Sequence, residues 1–85
     1  MVEKSVVVAV EPGLQADKAA KFVREANRFA AEIYLEKKGR RINAKSIMGV
    51  LSLAIASGDT ITLFSDGSDG EEAIDALVAC VTETN

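Results

Sequence analysis

The spacing of apolar residues alternates along this chain between the pattern of a strand and that of a helix, in the order β-α-β-β-α-β-α. That order limits the fold more than any other feature. Ser5-Val6-Val7-Val8-Ala9-Val10 is rich in β-branched residues and reads as a buried strand over 5–10, stopped by Glu11-Pro12-Gly13. Across 16–30, the residues Ala19, Phe22, Val23, Ala26 and Phe29 fall on one helical stripe, with Asp17 in the opening turn and four residues before Lys21, the spacing of a solvated ion pair. Two short strands flank Lys37-Lys38-Gly39, a hairpin turn with glycine available for positive φ. A second helix runs over 47–56 and stops at Ser57-Gly58, with glycine as its left-handed cap. Thr60-Ile61-Thr62-Leu63-Phe64-Ser65 alternates as a strand, and Asp69 with Glu72 has capping-box spacing at the start of a last helix reaching about Thr82.

With short connections and no internal linker, the 85 residues form a single domain, 1–85. A chain of this size buries about 60% of its unfolded surface in one core. The simplest arrangement of these elements is an α+β open-faced sandwich, an antiparallel sheet with helices on one face.

Composition excludes several classes of function. The chain has no histidine, so a Ser-His-Asp triad and the usual zinc-ligand spacings cannot be assembled, and no metal or cofactor is expected. Cys80 is the only cysteine, which forbids an internal disulfide, and its helical surroundings place it in the core. Asp66-Gly67-Ser68-Asp69-Gly70-Glu71 superficially resembles a calcium loop but has Glu71 where the sixth position requires glycine, so it reads as a turn and cap. A net charge of −3 offers no general attraction to nucleic acid or to an anionic membrane. The cations Lys37, Lys38, Arg40, Arg41 and Lys45 read as a solvated hairpin. No apolar run is long enough for a membrane span and the N-terminal residues lack a signal-peptide pattern, so the expected location is cytoplasmic.

The informative stretch is Lys45-Ser46-Ile47-Met48-Gly49-Val50-Leu51. Ser46 stands where an N-cap belongs, a position that also suits a phosphoserine, whose charge the first helical turn would stabilise by about 0.3–2 kcal/mol. The helix after it is apolar almost all round, so part of it is expected to remain exposed beside Ser46 as a surface for a partner.

Pro12-Gly13-Leu14-Gln15-Ala16, Glu25-Ala26-Asn27-Arg28-Phe29, Leu35-Glu36-Lys37 and Asn43-Ala44-Lys45-Ser46-Ile47-Met48-Gly49 together resemble the HPr family of the bacterial sugar phosphotransferase system, and more closely its histidine-lacking regulatory branch, Crh. The resemblance covers essentially the whole chain. It implies four antiparallel strands with three helices on one face. At the position matching Gln15, HPr carries the histidine that accepts a phosphoryl group, which an amide cannot do. The resemblance further implies phosphorylation of Ser46 by HPr kinase/phosphorylase and action as corepressor of the catabolite control protein CcpA, with Gln15, Asp17, Lys45, Ile47, Met48 and Leu51 at the contact surface and Lys45 available to the phosphate.

The chain departs from the family at Asp17 and Lys18, where arginine and proline are usual. A phosphate of about −2 charge at roughly 6 Å from Asp17 would be repelled by about 1–5 kcal/mol. Two readings stay open: a divergent Crh with a rearranged interface, or a divergent or engineered HPr-fold scaffold or oligomerising module with no surviving switch. Homodimers formed through the exposed short strands fit either.

Overall fold

The computed structural model describes residues 1–83; Thr84 and Asn85, which the sequence reading included in the domain, lie outside the described residues. The elements are β1 (Val2–Val7), α1 (Ala16–Ala26), β2 (Glu32–Lys37), β3 (Arg40–Asn43), α2 (Ile47–Ser52), β4 (Thr60–Asp66) and α3 (Gly70–Thr82). Their order is the one expected. The strands form one antiparallel sheet in the order β1-β4-β2-β3, with β1 and β3 at its edges. Strand alternation sends Ile33, Leu35, Ile61 and Leu63 to the helical side, where they pack with Phe22 of α1, Val50 of α2 and Leu77 of α3 in one core. The other face is left open, carrying Tyr34, Thr62 and Phe64.

Local chemistry accounts for the main elements. The register Lys37↔Arg40 leaves a two-residue turn, and Lys38 (φ 51°) and Gly39 (φ 81°) both adopt the positive φ that such a hairpin requires. On α1 the expected stripe is buried, with Ala19, Phe22 and Ala26 fully covered and Val23 and Phe29 at the margin. Burying one large apolar side chain such as Phe22 contributes about 1.5–3 kcal/mol.

Several expectations are corrected. Strand β1 spans Val2–Val7 rather than 5–10 and is an edge strand: β4 begins at Thr60, the partner of Val7, and one further pair of bonds, from the Val8 amide to the Asp59 carbonyl and from the Gly58 amide to the Val8 carbonyl, closes the pairing. Beyond it, Ala9 and Val10 donate their amides to the Val81 carbonyl, so the burial of Val8 and Val10 reflects packing beside the end of α3. Helix α1 ends at Ala26, not 30. Helix α2 ends at Ser52, not 56, and Ala54 rather than Gly58 supplies the left-handed residue after it (φ 49°). Asp69 makes no capping bond to α3; its two carboxylate oxygens accept the amides of Ala30 and Ala31, each at 2.9 Å.

Cys80 is half-buried at the margin of the core rather than inside it, and burial pushes its thiol above the usual value. The Asp17–Lys21 pair is absent from the ion pairs of the described residues, which are Arg28–Glu25, Lys37–Asp59 and Arg41–Glu36. No helix is long and apolar enough to cross a membrane among the described residues.

Candidate functional site

Ser46 is the N-cap of α2. Its extended backbone (φ −107°, ψ 116°) turns the hydroxyl back so that Oγ accepts the Gly49 amide at 3.2 Å, while its carbonyl accepts the Val50 amide at 3.0 Å. The residue is half-buried. The approach to it is fixed from three sides. Asn43 accepts the Lys45 amide through Oδ1 at 2.8 Å, Asn27 at the end of α1 donates from Nδ2 to the Lys45 carbonyl at 3.4 Å, and Lys45 Nζ donates to the Phe29 carbonyl at 2.7 Å. Lys45 is therefore engaged with the turn that follows α1.

The six residues of α2 divide by exposure. Val50 is buried, while Ile47, Met48 and Leu51 are 37%, 75% and 43% exposed. Leu51 lies three residues after Met48 and four after Ile47, the spacings that bring side chains together on one side of a helix. An apolar surface beside Ser46 is thus present at the positions the sequence singled out.

Gln15 is the exposed N-cap of α1; its side chain makes no capping bond, and its carbonyl accepts the Lys18 and Ala19 amides. The loop before it is tied to the segment after α2. Leu14 donates its amide to the Ile55 carbonyl at 3.0 Å, Ser57 donates to the Pro12 carbonyl at 3.2 Å, and Gly13 bridges Ala56. Gln15 and the far end of α2 consequently belong to one surface. Asp17 is exposed on the first turn of α1, whereas Lys45 is held at Asn27 and Phe29 beyond its last turn. Ten residues at 1.5 Å rise separate Asp17 from Asn27 by about 15 Å along the axis, so Asp17 and the side chain that ties the Lys45 carbonyl stand at opposite ends of α1.

Sequence reasoning missed Asn27, Asn43 and Lys37. The cation run was expected to be solvated, yet the Lys37 side chain is 15% exposed and pairs with Asp59 at 2.8 Å, and Arg41 lies over Phe64. An asparagine on the helical segment between Ala26 and Phe29 and another three residues before a capping serine are the only signals that could have been used.

The described residues form a small open-faced sandwich that presents a capped serine beside three exposed apolar side chains. The family model described as PTS HPr component phosphorylation site matches residues 2–83. HPr-like protein Crh of Halalkalibacterium halodurans is 59% identical over 81 residues, covering 95% of this chain and 96% of the relative. Two solved structures are similar throughout. The phosphocarrier protein HPr of Bacillus anthracis superposes with a TM-score of 0.93 at 57% identity, covering 94% of this chain and 95% of that one. The Bacillus subtilis catabolite repression protein Crh, described as a dimer with a swapped domain, gives 0.78 at 49% identity, covering 100% and 98%. The chain belongs to the HPr family, and it is a Crh-like member of it.

Proposed function

We propose that this chain is a non-enzymatic regulator of carbon catabolite repression, phosphorylated on Ser46 by HPr kinase/phosphorylase and then acting as corepressor of CcpA in the cytoplasm. The observation that carries the reading is a half-buried serine at a helix N-cap directly beside three exposed apolar side chains, Ile47, Met48 and Leu51. Gln15 supports it from the other side, because an amide cannot carry a phosphoryl group and leaves Ser46 as the residue to modify. In the reaction the Ser46 hydroxyl oxygen bonds to the γ-phosphorus of ATP, ADP leaves, and the hydroxyl proton passes to a base of the kinase. The added charge then lies at the start of α2, where it is stabilised by about 0.3–2 kcal/mol. Ile47, Met48 and Leu51 anchor the repressor, and Gln15 and Asp17 border the contact.

Incubation with the kinase, ATP and magnesium, followed by mass-spectrometric mapping, tests the first step. Phosphate confined to Ser46 and lost in Ser46→Ala is the expected result; a folded chain that stays unmodified contradicts it. The second reading is an HPr-fold scaffold or oligomerising module, favoured by the charge of Asp17 where the family carries arginine and by the edge position of β1. Silence toward both kinase and repressor, from a folded and dimeric sample, would move the conclusion there.

A further inference from the structure

The proposed contact face is assembled from two stretches far apart in the chain, the Gln15 loop and α2. Their relative position depends on the irregular segment after α2, which includes Ala54 at positive φ and bonds to Leu14 through the Ile55 carbonyl. Lys37 from the opposite layer holds that segment, beside Arg40, whose Nη1 donates to the Ser52 carbonyl at 3.3 Å. Lys37 Nζ donates to the Leu53 carbonyl at 3.2 Å and the Ala54 carbonyl at 3.0 Å and pairs with Asp59 Oδ2 at 2.8 Å. The same carboxylate oxygen accepts the Ala56 amide at 2.8 Å. An ammonium group has three N–H donors, and Lys37 has three acceptors. It sits at the carbonyl end of α2, where a cation is favoured.

We infer that Lys37 is a positioning residue for partner recognition: it clamps the exit of α2 against the loop that carries Gln15 and so fixes the spacing between the two halves of the contact face. The inference rests on the reading that this face meets the kinase. The other end of α2 has its own ties, from Ser46 to Gly49 and from Lys45 to Asn27 and Phe29, none of which involves Lys37. Loss of the clamp therefore disturbs docking while leaving the reacting hydroxyl in place.

Lys37→Met keeps an aliphatic stem and removes the ammonium. Amide hydrogen exchange in this variant is expected to accelerate at Leu14 and Ala56 by at least about tenfold, the factor that one charge-assisted hydrogen bond carries, with Gly49 and Val50 unchanged. In the kinase reaction KM rises and kcat is retained. Unchanged exchange at Leu14 and Ala56, a uniform acceleration at all amides, or a fall in kcat at constant KM each overturns the inference. Should Lys37→Met fail to fold, Lys37→Arg, whose planar fork cannot satisfy three converging acceptors in the same way, is read by the same criteria. If the kinase does not modify the parent chain, the Ser46 reading fails, and the exchange pattern still decides the clamp.

Discussion

The guanidinium carbon of Arg41 lies 3.9 Å from the ring centroid of Phe64, and Arg41 Nε donates to Glu36 Oε1 at 3.2 Å. Through this contact the sheet covers its own largest outward-facing apolar group, leaving Phe64 only 6% exposed on a face that no helix protects. The planar cation suits the role because it stacks on the ring while its edge pairs with a carboxylate. Replacing Arg41 with alanine should cost about 1 kcal/mol and lower Tm by about 4–8 °C, with Phe64 exposed. Thermal unfolding monitored by circular dichroism checks this, and an unchanged Tm would mean the stack is incidental.

Gly13 has φ of 119°, and a Cβ added there would collide with the Ile55 carbonyl oxygen and meet Ala56 Cα at 2.6 Å, both backbone atoms. Gly13→Ala should therefore destabilise the fold by at least about 2 kcal/mol and detach the Gln15 loop from the segment after α2. Gly39, with φ of 81° but open space around it, is the control: Gly39→Asn should cost less than about 1 kcal/mol. Urea denaturation of the two variants separates the outcomes.

Two carboxylates tie stability to acid pH. The amides of Ala30 and then Ala31 hold Asp69 below the ordinary carboxylate value of 3.8, and the Ala56 amide followed by Lys37 does the same for Asp59. A proton binds each group more tightly in the unfolded chain, so their contribution is complete above about pH 4 and is lost as pH falls through the folded-state value. Asp69→Asn removes one titration. The variant should be less stable at neutral pH, and its urea midpoint should fall less steeply below about pH 4 than that of the parent. Parallel curves would contradict the assignment.

Met48 is 75% exposed and contributes little to the core. Met48→Glu should leave stability within about 0.5 kcal/mol of the parent. If the apolar face of α2 anchors the repressor, the same substitution should weaken binding at least about tenfold, as loss of a central anchor does. Equal affinity in a titration of the phosphorylated variant would remove Met48 from the interface.

What the residues revealed directly was local. The stripe of α1, the Lys38-Gly39 turn, the Ser46 cap and the exposed face of α2 each follow from spacing within a few residues, and the structure has all of them. What escaped depends on distant partners. The spacing of Asp69 and Glu72 suggests a local cap, but the Asp69 carboxylate reaches amides 38 and 39 residues away. Gly58 looked like the helix stop because glycine tolerates positive φ cheaply, yet Ala54 takes that conformation four residues earlier, where the Lys37 bond to its carbonyl supports it. The apolar run through Val10 reads as strand, and only the position of the start of β4 decides that Ala9 and Val10 turn to the Val81 carbonyl instead of extending the ladder. Lys37 and Arg41 looked alike in a charged hairpin, but strand alternation sends one to the helical side and the other over Phe64.

The most direct test of the central claim is the affinity of purified CcpA for this chain before and after stoichiometric phosphorylation of Ser46, measured by calorimetry with Ser46→Ala carried through the same kinase treatment. A switch predicts tight binding by the phosphorylated chain alone, with the unmodified chain and Ser46→Ala both weak. Equal affinity in all three samples would contradict it.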